Sequence, residues 1–278
     1  MSSFVDRVRA EAMFSRCDLS LALLRYAFLA LLLLTALSVS AQVGGDSELI
    51  ISTDRPSVAN SSVVVPQGVL QIENGFLISR LQGQSILDLP ESSIRFGLAK
   101  NTELRLAVPD YFDTVSSPGR STSGFGDTAI GFKQQLGPIR NLNLSVIFFL
   151  SLPSGAQSIS SHGYDPGLQF PWSRSLSANW TASGQAAFYW PTQAGNHNFT
   201  GEATFVLDRQ LTKPWDAFVE YAGDFPERGG SRQLLHFGSS YKLAPRHQID
   251  FQAAAGLSNS APDYFIGAGY SFFFRAVK

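Results

Sequence analysis

Ten side chains of this 278-residue chain have the types and placement to line or fill a polar interior: Gln71, Glu73, Arg95, Arg105, Asp127, Lys133, Glu202, Asp208, Glu220 and Asp250. Each sits on the polar side of a segment that alternates apolar and polar residues. A basic group turned toward hydrocarbon at mid-depth would cost about 2–4 kcal/mol, so the alternation turns these residues toward a wet lumen. Such a lining can select a solute by charge and width. With both signs present, it can equally pair into a salt-bridged plug. Gln71, Glu73, Arg95, Arg105, Asp127 and Lys133 are expected to form one cluster, because they lie on the first four segments. Asp54 and Arg55 precede the first segment, in a stretch (52–66) too polar to span a membrane. That stretch is either a periplasmic extension or a lumen insert whose charges bond the wall.

Covalent chemistry finds little support. The four histidines are His162, His197, His236 and His247, and only His236 falls within an expected strand. No Gly-x-Ser-x-Gly elbow accompanies them. A rival and less favoured class is a lipid-modifying enzyme of the outer membrane, and it would need a nucleophile beside a histidine on the outer wall. No metal site is expected, since histidines and carboxylates do not cluster at ligand spacing. No cofactor is expected either, because GFGDTAIG (124–131) lacks the lysine and the strand–helix context of a phosphate cradle.

The elements that carry these residues are strands. In LNLSVIFFLSL (142–152), Leu142, Leu144, Val146, Phe148, Leu150 and Leu152 share one face, while Asn143, Ser145 and Ser151 share the other. WTASGQAAFYW (180–190) and the segment 249–257 repeat the device. About twelve strands follow: 69–80, 86–99, 103–111, 124–135, 142–152, 166–175, 180–190, 198–211, 215–224, 231–242, 248–257 and 263–274. Most approach the roughly 9–11 residues of a tilted membrane strand. After the first hairpin, brief connections alternate with longer ones rich in Ser, Gly and Pro (112–123, 153–165, 191–197, 225–230 and 258–262). Short periplasmic turns and longer outer loops are the expected asymmetry of an outer-membrane barrel. All four tryptophans (172, 180, 190 and 215) fall near strand ends, where an indole meets the membrane boundary.

Residues 1–41 read as a cleavable signal peptide. Arg7, Arg9, Arg16 and Arg25 precede an apolar run (26–37), and Val39 and Ala41 supply small residues before a cut at Ala41/Gln42. The run is short for the roughly 20 residues of a spanning helix. The one cysteine, Cys17, lies in this leader, so the mature chain has no thiol for disulfides, metal or catalysis. Removing the leader's four Arg and three acidic residues from 21 basic and 22 acidic leaves 17 and 19. Such a balance gives no electrostatic drive toward nucleic acid. Charged residues are 15% of the chain against about a quarter in a soluble domain.

Several pieces together resemble the bacterial outer-membrane family named for the meta-pathway of phenol degradation. They are TDRPSVANSSVVVPQGVLQIENGF (53–76), LPESSIRFGLAKNTELRLAVP (89–109) and GFGDTAIGFKQQL (124–136), with weaker matches at 150–155, 218–223 and 248–272. The resemblance implies a transporter-like barrel of this size and a small cargo, aromatic or moderately apolar in character. The expectation is therefore an all-β, closed antiparallel transmembrane barrel of about twelve strands (69–278), following a signal helix (1–41) and a periplasmic or lumen-inserted segment (42–68). Its partners are outer-membrane lipid, a small solute and, during biogenesis, the barrel-assembly machinery. The alternative is a sealed structural or surface-interaction barrel in which loops 112–123 and 153–165 do the work.

Overall fold

The computed structural model describes residues 49–116 and 120–277, so the signal segment expected over 1–41 lies outside the described residues. From residue 69 the chain is an antiparallel meander. Its strands are β1 (Val69–Leu81), β2 (Gln84–Leu89 and Ser93–Ala99), β3 (Thr102–Ala107 and Tyr111–Ser116), β4 (Arg120–Phe125 and Thr128–Gln135), β5 (Asn143–Leu152) and β6 (Asp165–Ser175). They continue with β7 (Trp180–Tyr189), β8 (Thr200–Thr212), β9 (Trp215–Pro226), β10 (Arg232–Ala244), β11 (His247–Gly256) and β12 (Tyr264–Arg275). The last strand returns to the first along its whole length, from Val69 opposite Arg275 to Arg80 opposite Tyr264. The ring is closed, as any sheet that meets hydrocarbon must be, since a bare edge would leave peptide groups without partners. Among the described residues no helix is long and apolar enough to cross a membrane.

The two faces of the wall differ as the alternation requires. Phe148, Ile130, Phe205 and Phe251 are 44–59% exposed on the outside. Phe132 and Phe148 sit opposite each other across β4 and β5, their ring centroids 6.0 Å apart. Trp180 and Trp215 stand at strand ends. The Trp180 ring carries the Arg209 guanidinium 5.2 Å from its centroid, and the Trp215 Nε1–H donates to Ser239 Oγ at 2.7 Å. On the inside, by contrast, the most deeply buried side chains include Arg95, Lys133, Glu73, Glu103, Glu220 and Asp250. Polar groups fill this core, and the apolar side chains form the outer surface.

Three neighbouring strands break at one level, at residues 90–92, 108–110 and 126–127. Pro90 and Pro109 have no N–H to give the ladder. Two bonds keep the three breaks level: Val108 N–H donates to the Ser92 carbonyl (2.9 Å), and Gly126 N–H to the Asp110 carbonyl (2.7 Å). Beyond the break the expected loop 112–123 is instead largely strand, Tyr111–Ser116 pairing with Arg120–Phe125. Sequence alternation misses this extension for a physical reason. RSTSG (120–124) carries no apolar residue on either side, so no period of two marks the strand. The loop 153–164 packs beside it, with Ala156 N–H donating to the Phe125 carbonyl (2.8 Å).

A charge at mid-wall tests the lipid face. Phe148→Arg should destabilise the folded barrel by about 2–4 kcal/mol in reversible unfolding from lipid vesicles. An unchanged unfolding midpoint would mean that Phe148 does not face hydrocarbon.

Candidate functional site

Residues 51–66 make hydrogen bonds to inward-facing side chains on most of the strands, which places this stretch within the ring. Its base is a small apolar knot of Ile51, Val65, Val69 and Phe273, with Leu49 packed against it. From there the chain offers its own backbone to the wall's carboxylates. Glu73 accepts the N–H of Asp54 and Arg55 at 3.0–3.2 Å. Glu220 accepts Val58 and Ala59 N–H at 2.9 Å each and the Ser57 hydroxyl at 3.0 Å. Glu103 accepts Val65 N–H at 2.7 Å. An irregular strip inside a barrel has no ladder to join, so buried N–H groups must find side-chain acceptors.

Charge is balanced where it is deepest. Arg95 bridges Glu73 (2.8 Å) and Glu103 (3.0 Å) and lies 3.3 Å from Asp54. Arg105 takes Asp54 at 2.5 Å and Glu103 at 2.9 Å. The Lys133 ammonium stands 3.7 Å from Asp54 and 3.9 Å from Glu103. Three cations thus face three carboxylates, an arrangement burial demands because an unmatched charge would cost several kcal/mol. Burial pushes the Asp54 carboxyl up, but Arg105, Arg95 and Lys133 outweigh it and hold the group well below the usual carboxylate range. Arg55 makes a second knot, with Glu91 at 2.7 Å and Asp250 at 3.3 Å. Burial lowers its affinity for its proton, but Asp250 and Glu91 together outweigh burial, so the guanidinium holds its proton more tightly than usual. Gly75 and Gly269 lie opposite each other across β1 and β12, and a Cβ on either would run into the Arg55 guanidinium. The glycines leave the slot that the arginine fills.

On the other side of the lumen, apart from the Glu220 anchor, the contacts are fewer and uncharged. Asn60 Nδ2 donates to Gln185 Oε1 (2.8 Å) and Gln169 Oε1 (3.3 Å). Gln185 donates on to Glu202 (2.7 Å), Tyr189 donates to the other Glu202 oxygen (3.0 Å), and Gln169 donates to the Tyr189 hydroxyl (3.1 Å). These bonds close a ring from the segment to the wall and back. Cavities open on both sides of it. One, of about 300 Å³, is lined by Phe149, Asp165, Tyr189, Glu202, Asp224 and Arg232 among others. The second, of about 350 Å³, is bordered by the segment itself with Ser173, Thr181, Ser183, Asp208, Asp216 and Lys242.

The family model described as "Putative MetA-pathway of phenol degradation" matches residues 53–274. The chain belongs to this family. Among solved structures it is similar to an outer membrane channel from Pseudomonas putida F1, at 13% identity and a TM-score of 0.62, over 77% of this chain and 98% of that one. It is also similar to the β domain of the Bordetella autotransporter BrkA, at 14% identity and a TM-score of 0.50, over 74% and 99% of the two chains. The KdgM porin follows at 13% identity and a TM-score of 0.49, over 73% and 99%. At such identities the likeness is one of fold. No curated protein sequence matches the chain.

In this member of the phenol-degradation family, the structure brings Gln71, Glu73, Arg95, Arg105 and Lys133 together around Asp54. Gln71 Nε2 donates to Glu73 (2.8 Å) and to the Ser52 carbonyl (2.9 Å). Asp127, expected in the same cluster, stands apart. It falls at the break in β4, and its carboxylate accepts the N–H of Gly155 (2.8 Å) and Ser161 (3.0 Å) from the loop 153–164. Glu202 and Asp208 each border one of the cavities, while Glu220 and Asp250 hold the segment. Sequence reasoning passed over Glu103, although it shares the parity of Arg105. His236, the one histidine expected within a strand, turns inward to Glu220, its Nδ1 2.7 Å from the carboxylate, a pairing the alternation does not reveal.

The charge network yields two expectations. Arg95→Met leaves Glu73 and Glu103 facing each other without their guanidinium, and should cost about 3–5 kcal/mol in equilibrium unfolding from vesicles. A carboxylate held low contributes stability above its unfolded-state pKa and loses it only as pH falls through its folded value. Amide-exchange protection of residues 54–65, corrected for intrinsic rates, should therefore persist to about pH 4, near the ordinary aspartate value. It should be lost at every pH in Asp54→Ala.

Proposed function

We propose that the protein is an outer-membrane channel for passive movement of a small solute, with its N-terminal segment as a plug that narrows the lumen. The supporting observation is the pair of cavities separated by one uncharged layer, in which Asn60 meets Gln169 and Gln185. A layer of neutral amides is easier to part than the ion pairs on the opposite wall, because no charge is stranded when its bonds exchange with water. The aromatic lining of the outer cavity (Phe149 and Tyr189, centroids 5.7 Å apart) suits a small solute with an apolar or aromatic body. That agrees with the family's name. In this reading residues 1–41 are removed after secretion, with cleavage near Ala41, residues 42–68 form the periplasmic base and plug, and 69–278 form the barrel. Lipid surrounds the outer belt, and the barrel-assembly machinery inserts the chain.

The fixed side of the plug supports a second reading, a sealed barrel with no flux. Single-channel recording from purified protein in planar bilayers separates the two. The channel reading expects a small wild-type conductance that rises several-fold when residues 52–65 are deleted, and rises less when Arg105→Ala removes one of the three cations that hold Asp54. No current from wild type, with large current from the deletion, would favour the sealed barrel. No current from either would refute a passage along the lumen.

A further inference from the structure

We propose that the outer cavity is a selectivity site for a solute bearing a protonated amine on a flat, single-ring apolar body, with Glu202 as the recognising carboxylate. The inference rests on the channel reading for the ligand's role as cargo, and on the cavity's own chemistry for its class.

The cavity holds three carboxylates (Asp165, Glu202 and Asp224) and one guanidinium, Arg232. Two of the carboxylates are already satisfied. Asp224 takes Arg232 at 2.9 Å, and Asp165 accepts the Thr192 N–H (2.9 Å) and hydroxyl (2.6 Å). Glu202 lies directly across from Asp224 in the β8–β9 register, where like charges repel. Its hydrogen-bond donors, Gln185 and Tyr189, are both neutral. On this wall Glu202 is a half-buried carboxylate held by dipoles alone. Two residues further along β8 and behind the cavity lining, Thr204 is 7% exposed and its hydroxyl has no partner. A cation entering the cavity would supply the charge that Glu202 lacks, and charge-assisted bonds are about twice as strong as those between neutral groups.

The walls define the rest of the ligand. Phe149 turns its ring inward over Gly167, where a Cβ would collide with that ring. Tyr189 meets it at 51° between ring planes. Two rings beside a carboxylate suit an ammonium on an aromatic body, since a cation also gains from an aromatic face. A volume of about 300 Å³ fits one ring with a short side chain rather than a fused system. The cationic clusters around Asp54 and Arg55 belong to the opposite wall, where each is neutralised by its own carboxylates.

Calorimetric titration of the folded protein in detergent micelles at neutral pH tests the site with three probes of equal size: benzylamine (protonated at this pH), benzyl alcohol and benzoate. Benzylamine should bind at least about tenfold more tightly than the alcohol, the factor that 1.4 kcal/mol makes, and benzoate weakest of all. Glu202→Gln should erase the preference for the amine. Tyr189→Phe, which strips a donor from Glu202 but keeps the ring, should sharpen it, and this second variant keeps the test intact if the first does not fold. Equal binding of the three probes, no binding of any, or a preference that survives Glu202→Gln would overturn the proposal. Flux of the same probes into vesicles reads the channel separately. Amine binding without flux contradicts the channel reading and leaves the site standing, whereas equal flux of all three with no binding preference does the reverse.

Discussion

The buried charge balance between Asp54 and the wall's Arg95, Arg105 and Lys133 is the constraint on which the interior depends. Each of these groups alone would carry a desolvation cost of several kcal/mol, because Arg95, Glu103 and Lys133 are fully buried. Assembled, they fix the path of a segment that has no secondary structure of its own. Asp54 can sit there only because three cations converge on it from β2, β3 and β4. Glu73, Glu103 and Glu220 then serve a second purpose, accepting the backbone N–H groups that an irregular strip would otherwise bury bare. The wall is rigid because every strand is paired, and the strip is placed because the wall holds its charges still.

The asymmetry of this interior bears on function. The side made by β1 to β4 is locked by ion pairs and by the Arg55 slot between Gly75 and Gly269. The side made by β6 to β9 touches the segment mainly through amides and hydroxyls, apart from the Glu220 anchor, and both cavities open there. A solute following the weaker side would part neutral bonds and leave the ionic scaffold intact. That division lets one segment be both firmly anchored and locally yielding.

How much of this could be read from the sequence follows from which forces leave a periodic trace. Burial against lipid does, since Phe132, Phe148, Phe205 and Phe251 recur on the outward parity, and the twelve strands are legible from them. Inward charges such as Glu73, Arg95 and Lys133 were legible because the same parity excludes them from hydrocarbon. Other features left no such trace. Ile147 and Phe149 complete an unbroken apolar run from Val146 to Leu150, so their inward turn is hidden in it. The ribbon of Tyr111–Ser116 and Arg120–Phe125 has no sustained apolar period, and Asp127 falls outside the expected cluster because the break beside it has none either. The course of residues 51–66 was hidden for a deeper reason. Its bonds run from backbone N–H groups to distant carboxylates, and nothing in the local sequence encodes which carboxylate a peptide group will meet.

The most direct measurement uses the absence of thiols after Cys17. Ser62 and Ser173 place their hydroxyl oxygens 2.7 Å apart across the yielding side, one on the segment and one on β6. With both replaced by cysteine, oxidation should form a disulfide that pins the segment and drops single-channel conductance to the baseline, and reduction should restore the wild-type current. If the disulfide forms and the current does not change, or if the two cysteines never join in the folded barrel, the segment does not control the lumen and the account is wrong.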